Sequence, residues 1–439
     1  MKNTQRIVLV GAVLFAGTAL SFAQPAGGPP KFGPARGLPL PPPTRLQPQQ
    51  PPPPPQPLQP PPPPPLAPPP TGPGQFGQPL ARLNGTELND FNAGLAAFDA
   101  VQTPTTGLGP IFNNVSCVAC HSVPSPGGAS TITVTRFGRT TNGVFDPLTQ
   151  LDGSLLHARA IAPALQELIP AAANTIAHRL TTPLYGAGLI EAIPDSTILL
   201  NATPRGKPPG VGGRAAVVTD AATGQLRVGR FGWKAQHATL LSFAGDASTN
   251  EIGITNRIFP VQPAPNGNVA LLAQFVNLNS GPKDKVNPVT GKGAIDREAD
   301  YMRYLAPPAP GPRSPGAVVG QQYFSQVGCA SCHTPSMNTG TNAIAALSNV
   351  EVFLYSDLLL HNMGTLGDGF AQGPAGPTEM RTSPLWGLRT RPTYLHDGRA
   401  RTLDAAIRAH DGEGAVSTGE YNQLSPVAQQ QLLEFLDSL

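Results

Sequence analysis

The chain contains Cys117-Val-Ala-Cys-His121 and Cys329-Ala-Ser-Cys-His333, two copies of the pattern C-x-x-C-H. This pattern is the attachment signature of c-type haem. Two thiols on one helical turn bind the haem vinyl groups, and the adjacent histidine ligates the iron from the proximal side. The sequence therefore predicts two covalently bound haem c groups. The predicted attachment residues are Cys117, Cys120, Cys329 and Cys332, and the predicted proximal iron ligands are His121 and His333.

Other uses of these cysteines fit the spacing poorly. A zinc ribbon brings its two pairs within about 15–20 residues of each other, whereas these pairs lie more than two hundred residues apart. A thioredoxin-like redox pair requires no adjacent histidine. A disulfide within C-x-x-C is an uncommon arrangement. The four cysteines of the chain are all accounted for by haem attachment.

Composition limits the classes of partner. The formal net charge of the 439 residues is +3, and Lys2 and Arg6 in an N-terminal leader contribute two of these charges. The remainder carries about +1, so no electrostatic case exists for nucleic-acid binding. The 54 prolines are concentrated near the N-terminus. The roughly 360 residues after position 80 suffice for two compact domains.

The N-terminal region predicts export. Residues 1–23 resemble a secretory signal peptide, with a basic start, the apolar run Ile7–Leu20 and small residues before the predicted cleavage site. A retained membrane anchor is the alternative; after cleavage, no transmembrane span is expected. Residues 24–82 form a proline-rich, disordered linker, which serves either as an extended spacer or as a solvated tail. A periplasmic or otherwise exported location agrees with covalent haem attachment.

The remaining chain predicts two domains, 83–308 and 309–439, separated by the proline-rich break after residue 306. In the first, Thr86 is the predicted cap of a helix, residues 130–137 favour a strand, and residues 214–232 favour a hairpin. Asp296 is the predicted cap of a closing helix. The second domain opens with a helix before Cys329 and ends with a helix capped by Ser425 and begun by Pro426.

A short internal repeat indicates that one haem-binding unit is used twice. Trp233 precedes Thr239-Leu240 by six residues, and His396 precedes Thr402-Leu403 by the same distance. In both copies a helix is predicted to begin at the Thr-Leu pair. The first copy then contains a large insertion.

Several longer motifs resemble one family. They are Gly188–Pro194, Gly229–Ala235, Tyr355–Gly364, Pro384–Leu388 and Tyr394–Gly398. These segments are similar to the di-haem oxidoreductase family, also described as thiol-oxidoreductase-like, which is related to bacterial di-haem cytochrome c peroxidases and to the di-haem enzyme that matures methylamine dehydrogenase. The resemblance covers roughly residues 84–439. It implies a mainly α fold with two cytochrome c-like haem domains, the first carrying β insertions.

The resemblance also implies roles for individual residues. His410 falls at the position of the distal ligand of the second haem, with Met363 as the competing ligand and Met337 and Met380 as weaker candidates. Glu251 matches the active-site glutamate of the peroxidases. A carboxylate in a partly apolar pocket has a raised pKa and can move a proton between the two oxygens of peroxide. Two further roles are implied: Trp233 lies between the haems, and Glu191 is a secondary acid.

The first haem has no obvious sixth ligand in the sequence. The candidates are His157, His178 and His237, because no histidine lies between His121 and His157 and Met302 is the only methionine of the first domain. An open sixth position is what a haem that binds peroxide or dioxygen requires. The expected activity is peroxide reduction at the first haem, with electrons entering through the second.

The expected electron donor is small: a cytochrome c, a cupredoxin or a quinol-linked carrier. Two alternatives remain open, a non-catalytic electron-transfer cytochrome and a di-haem oxygenase or protein-modifying oxidase. Relatives often bind calcium between the domains, and the sequence contains no compact carboxylate loop to which such an ion can be assigned.

Overall fold

The computed structural model describes residues 76–203, 207–279 and 281–439. These residues belong to one compact unit. The predicted signal peptide, and the predicted linker up to residue 75, lie outside the described residues. Within the described ranges, no helix combines the length and the apolar character needed to cross a membrane. The division of the chain at residue 308 stays a prediction.

The helices and strands alternate irregularly along the chain. The helices are α1 Gly85–Asp99, α2 Ala187–Glu191, α3 Asp195–Asn201, α4 Leu240–Glu251, α5 Val269–Leu272, α6 Ala294–Tyr304, α7 Pro315–Gln326, α8 Leu403–Arg408, α9 Ala415–Gln423 and α10 Pro426–Asp437. The strands are β1 Ile111–Phe112, β2 Thr133–Thr141, β3 Val144–Asp146, β4 Leu155–Leu156, β5 Arg159–Ala160, β6 Thr175–Leu180, β7 Ala216–Thr219, β8 Leu226–Gly229, β9 Met337–Asn338, β10 Glu351–Val352, β11 Leu360–Asn362 and β12 Glu379–Arg381.

The helical scaffold is built the same way around each C-x-x-C-H motif. Helix α1 precedes the first motif and packs against α6, while α7 precedes the second motif and packs against α10. A glycine lies at each crossing, because a Cβ on Gly94 would collide with the backbone at Arg297 and one on Gly320 would collide with the backbone at Gln431. Buried aromatic side chains, Phe98 and Phe324, extend from α1 and α7 towards the motifs.

The strands form small antiparallel sheets that lie between the helices. Strand β2 pairs with β3, β4 and β6, and its long register with β6 runs from Thr133–Leu180 to Gly138–Thr175. The hairpin β7–β8 confirms the predicted strand pair within residues 214–232. Three further pairs are β1–β5, β9–β10 and β11–β12. The β insertions therefore lie mostly between α1 and α4.

Local sequence signals placed the start of α10 correctly and the starts of α1 and α6 within three residues. Ser425 caps α10 by accepting from the Ala428 amide. The cap of α1, however, is Asn84 and not Thr86: Asn84 and Glu87 form a reciprocal capping box, which satisfies two amide donors at once. Helix α6 begins after Gly293, and Asp296 contributes from its third position by accepting from the Gly293 amide.

Chain packing also begins earlier than expected. The rings of Phe76 and Tyr185 are in contact, with centres 5.4 Å apart, and the Leu80 amide donates to the Tyr304 carbonyl at 2.7 Å. Residues 76–82, which the sequence assigns to the linker, therefore pack against the folded chain.

The internal repeat is visible in the backbone. Thr239 caps α4 and Thr402 caps α8, as predicted. Just before each cap, one antiparallel bridge closes a tight loop: Phe231–His237 in the first copy and Tyr394–Ala400 in the second. Trp233 lies within the first loop and His396 within the second, so these two side chains are structural counterparts.

Candidate haem sites

The second site is formed by His333 and His410, which face one cavity of about 210 Å³. Cys329 to His333 form a tight helical turn, in which the His333 amide donates to the Cys329 carbonyl at 2.9 Å. The ring centres of His333 and His410 lie 6.4 Å apart. Two metal–nitrogen bonds of about 2 Å, each extended by roughly 1 Å to the ring centre, span about 6 Å. The two imidazoles are therefore spaced to hold one iron between them.

Both rings are held in the tautomer that ligation requires. The His333 Nδ1 atom bonds the Tyr355 carbonyl at 2.9 Å, and the His410 Nδ1 atom bonds the Ala406 carbonyl at 2.7 Å. Each Nε2 atom is thereby left as the acceptor nitrogen. Burial lowers the pKa of His333 to about 4 and lowers that of His410, so both rings are neutral at neutral pH.

The rest of the cavity suits a large apolar group with an anionic edge. Cys329 and Cys332 line it, together with the alternative ligands Met363 and Met380. Arg391 also lines the cavity, and its Nε atom is buried without a hydrogen-bond partner. A haem supplies both an apolar face and carboxylates, so the residues present fit it. Met337, the other candidate, accepts a hydrogen bond from Asn201 at 3.2 Å.

A buried cation lies beside the second attachment turn. His361 is 1 % exposed and lies between two carboxylates, Asp357 at 2.9 Å from Nε2 and Glu413 at 2.8 Å from Nδ1. Its Nδ1 atom is also 3.6 Å from the Cys332 sulphur. Burial alone would lower the pKa of His361, but the hydrogen bonds and charges of Asp357 and Cys332 together raise this pKa to about 11. The motif Tyr355–Gly364 contains His361 and Asp357, but nothing in its sequence pattern indicates their pairing with Glu413.

The first site is organised differently. Cys117 to His121 form one helical turn, in which the His121 amide donates to the Cys117 carbonyl at 3.0 Å. Among the described residues, the ring that contacts His121 is that of Phe98, with centres 5.9 Å apart, and no imidazole faces His121 as His410 faces His333. Burial lowers the pKa of His121 to about 4.

Glu251 lies close to this first turn. It is the last residue of α4, is half-buried, and accepts a hydrogen bond from Asn113 Nδ2 at 2.7 Å. The neighbouring Asn114 donates to the Cys120 sulphur at 3.4 Å. Burial raises the pKa of Glu251, which the Asn113 hydrogen bond and the Arg136 charge partly offset. The carboxyl therefore remains protonated to a higher pH than an exposed glutamate.

His157 is the most distinctive of the three histidines proposed as a sixth ligand. It is 3 % exposed, its Nδ1 atom bonds the Glu167 carboxylate at 2.8 Å, and its Nε2 atom is buried without a hydrogen-bond partner. It is close enough to Glu251 for its charge to lower the pKa of that carboxyl. His178 is exposed, and His237 pairs with Asp246 at 3.2 Å.

Unpaired polar atoms around the first site agree with a bound anionic group. The Arg136 Nε atom is buried without a partner, as is His157 Nε2. Arg136 and Glu251 interact electrostatically. Buried polar atoms of a folded protein are nearly always hydrogen-bonded. A bound group with acceptor atoms would therefore be expected to pair with them. The thiols, the imidazole and these polar atoms together fit a haem at the first turn as well.

Trp233 borders the second site and a small pocket on the side of the first turn. Its indole lines the cavity at His333 and also a small pocket that contains Thr182, whose backbone contacts His121. The indole Nε1 atom donates to the Leu180 carbonyl at 2.9 Å, which fixes its orientation. The ring also contacts His396, its counterpart in the repeat, with centres 6.2 Å apart.

Both carboxylate oxygens of Glu191 bond groups of the helical scaffold. One of its carboxylate oxygens accepts from the Leu240 amide at 2.7 Å, and the other pairs with Arg303 at 3.0 Å. It thereby joins the start of α4 to α6. Both oxygens therefore bond groups of the scaffold, and the role of Glu191 as a secondary acid stays a prediction.

Solved structures provide distant likenesses. A hydrazine synthase of Kuenenia stuttgartiensis is 16% identical, with a TM-score of 0.39, and the match covers 85% of this chain and 98% of that one. A MauG-like protein associated with microbial copper homeostasis is 17% identical, with a TM-score of 0.29, over 58% of this chain and 89% of that one. No curated protein matches the chain.

A protein family provides the stronger comparison. The family described as "Di-haem oxidoreductase, putative peroxidase" matches residues 168–439, which is more than half of the chain. The matched range contains the second C-x-x-C-H motif, His410, Glu251 and Trp233, while the first motif precedes it. The resemblance inferred from the sequence is thus confirmed. The chain belongs to the di-haem oxidoreductase family.

Proposed function

We propose that the protein is an exported di-haem c-type peroxidase, in which the site at His121 reduces peroxide and the site at His333 receives electrons. The observation that carries this proposal is the asymmetry of the two sites. His410 faces His333 at a ring-centre distance of 6.4 Å, whereas Phe98 is the ring that contacts His121 in the described part of the chain. One iron would be held from both sides, and the other would keep a position for a small ligand.

The haem at the first site would supply the redox iron, and the protein supplies the proton chemistry. Glu251 lies near Cys120, and burial raises the pKa of its carboxyl. Its carboxylate would accept a proton from one peroxide oxygen and deliver it to the other. Two electrons and two further protons then convert one peroxide into two water molecules. Asn113 holds the carboxylate in place by its hydrogen bond at 2.7 Å.

The second site is built for electron entry. Neutral imidazoles from His333 and His410 on one iron would stabilise ferric iron and leave no position for peroxide. Trp233, which borders both sites, is the proposed intermediate for electron movement between them. The proposed donor is a small redox protein or a quinol-linked carrier.

Electron counting tests the proposal. The holoprotein is reduced anaerobically by a small donor and titrated with hydrogen peroxide, and donor oxidation is followed by absorbance. The expected result is two donor electrons consumed per peroxide, with water as the product. Oxidation of an added organic substrate in place of the donor, or no peroxide consumption, would contradict the assignment.

A further inference from the structure

Three backbone carbonyls converge on one lysine beside the first site. Lys283 Nζ donates to the carbonyls of Gly107 at 3.0 Å and Gly253 at 2.8 Å, and it also donates to the carbonyl of Gly109. An ammonium group has three N–H donors, so the three carbonyls use all of them. We call Gly107, Gly109, Gly253 and Lys283 the carbonyl cage.

The cage depends on the three glycines. All of them have positive φ, namely +119° for Gly107 and +73° for both Gly109 and Gly253. This conformation, which side chains rarely adopt, turns the carbonyls towards one point. A Cβ on Gly253 would lie 2.6 Å from the Ile111 carbonyl oxygen, so the two segments can approach only without it.

The cage is connected by backbone hydrogen bonds to the segment that carries Glu251. The Gly109 amide donates to the Ile252 carbonyl at 2.9 Å, and the Asn113 amide donates to the Glu251 carbonyl at 2.8 Å. One buried apolar cluster, which packs against Cys117, contains the neighbours of the cage glycines: Leu108 between Gly107 and Gly109, and Ile252 and Ile254 on either side of Gly253. The two segments that Lys283 joins therefore pack together beside the first C-x-x-C-H turn.

Lys283 has no other evident function. In the described ranges no carboxylate lies within ion-pair distance of it, and burial lowers its pKa to about 8. Its position is set by the backbone, because its amide donates to Thr255 Oγ1 at 3.1 Å and the Asp284 amide donates to the Thr255 carbonyl at 2.9 Å. A half-buried ammonium without a carboxylate is costly unless its hydrogen bonds stabilise a required arrangement.

We propose that Lys283 is a positioning residue, whose ammonium holds the Glu251 segment against the Gly107–Gly109 loop so that Glu251 faces the first haem site. The three carbonyls bind the Lys283 ammonium because this group has three N–H donors, and not merely because it is charged. The proposal rests on the proposed function of Glu251 for its effect on turnover. Its effect on the geometry of the first site is independent of that function.

The test uses the di-haem holoprotein with Lys283→Ala, which removes the ammonium and the three carbons before it. Added n-propylammonium replaces those atoms, whereas tetramethylammonium has the same charge without N–H donors. We expect Lys283→Ala to alter the electron paramagnetic resonance signal of the first haem. We also expect peroxide turnover to fall about tenfold to hundredfold, because small displacements of a catalytic group have effects of this size. n-Propylammonium should restore both properties, and tetramethylammonium should restore neither. Lys285→Ala, at an exposed lysine two residues away, is the matched control and should change nothing.

Each outcome decides the proposal. An unchanged signal and turnover in Lys283→Ala would overturn it, as would changes that n-propylammonium does not restore or that tetramethylammonium restores equally. If Lys283→Ala does not retain both haems, the isosteric Lys283→Met is used, and a native signal in that variant would overturn the proposal. If the native protein fails to reduce peroxide, the resonance signal still decides the role of the cage, and only the proposed function fails.

Discussion

Replacing Glu251 with glutamine isolates the proton-transfer role of this residue. Glutamine has the same shape as glutamate, and its carbonyl oxygen can still accept the hydrogen bond that Asn113 Nδ2 donates at 2.7 Å. The variant therefore retains the local packing and loses only the group that gains and releases a proton. A positioned general acid or base contributes about 10²- to 10⁴-fold, so we expect Glu251→Gln to raise the activation free energy by about 2.7 to 5.4 kcal/mol.

The assay is steady-state oxidation of a reduced small donor by hydrogen peroxide, measured across pH. Proton acceptance requires the carboxylate, so native turnover should rise as the pH passes through the pKa of Glu251. Because burial raises that pKa, the rise should lie above the ordinary value of 4.5 for glutamate. In Glu251→Gln this rise should disappear together with most of the turnover. The resonance signals of both haems should stay native.

The control is Glu420→Gln, a loss of one carboxylate at an exposed position of α9. It should have native turnover at every pH. Turnover in Glu251→Gln within about twofold of native would refute the reasoning. The acid–base role would then pass to His157, whose buried Nε2 atom has no partner, and His157→Gln would be measured in the same way.

Four further substitutions test other parts of the account. His410→Ala should convert the second haem from low spin to high spin, while Met363→Leu should leave its resonance signal native; the reverse result would make Met363 the ligand. Trp233→Phe should slow electron transfer between the haems after rapid mixing with peroxide and leave both resonance signals native, and an unchanged rate would remove the indole from the route. His361 has a folded-state pKa of about 11, above its ordinary 6.5. Its stabilising effect is therefore complete below about pH 6.5 and is lost as the pH rises towards 11. The free energy of unfolding in urea should accordingly fall with pH across this range, by at most about 1.4 kcal/mol per pH unit, and His361→Gln should lack this slope.

Local features of the sequence predicted much of the fold. The two C-x-x-C-H segments form the expected turns because their geometry depends only on neighbouring residues. Thr239, Thr402 and Ser425 cap helices for the same reason. The assignment of Thr86 failed because the pair Asn84 and Glu87, spaced three residues apart, forms a stronger capping box. That signal was present in the sequence.

The contacts that define the first site could not be predicted from local pattern. Asn113 and Glu251 are 138 residues apart in sequence and bond directly. Glu167 gives His157 its environment, and neither residue belongs to a recognisable motif. Lys283 reaches carbonyls more than 170 residues away. Such contacts depend on how the loops between α1 and α6 are folded, which hydrophobic periodicity does not encode.

The most direct test of the central claim is the low-temperature electron paramagnetic resonance spectrum of the oxidised and half-reduced holoprotein. The account predicts one low-spin ferric signal, from the iron between His333 and His410, and a high-spin ferric signal from the iron at His121 in at least one of the two states. Low-spin signals alone, two from the oxidised protein and one from the half-reduced protein, would mean that a protein ligand closes the first site. The protein would then be an electron carrier, and the peroxidase assignment would be wrong.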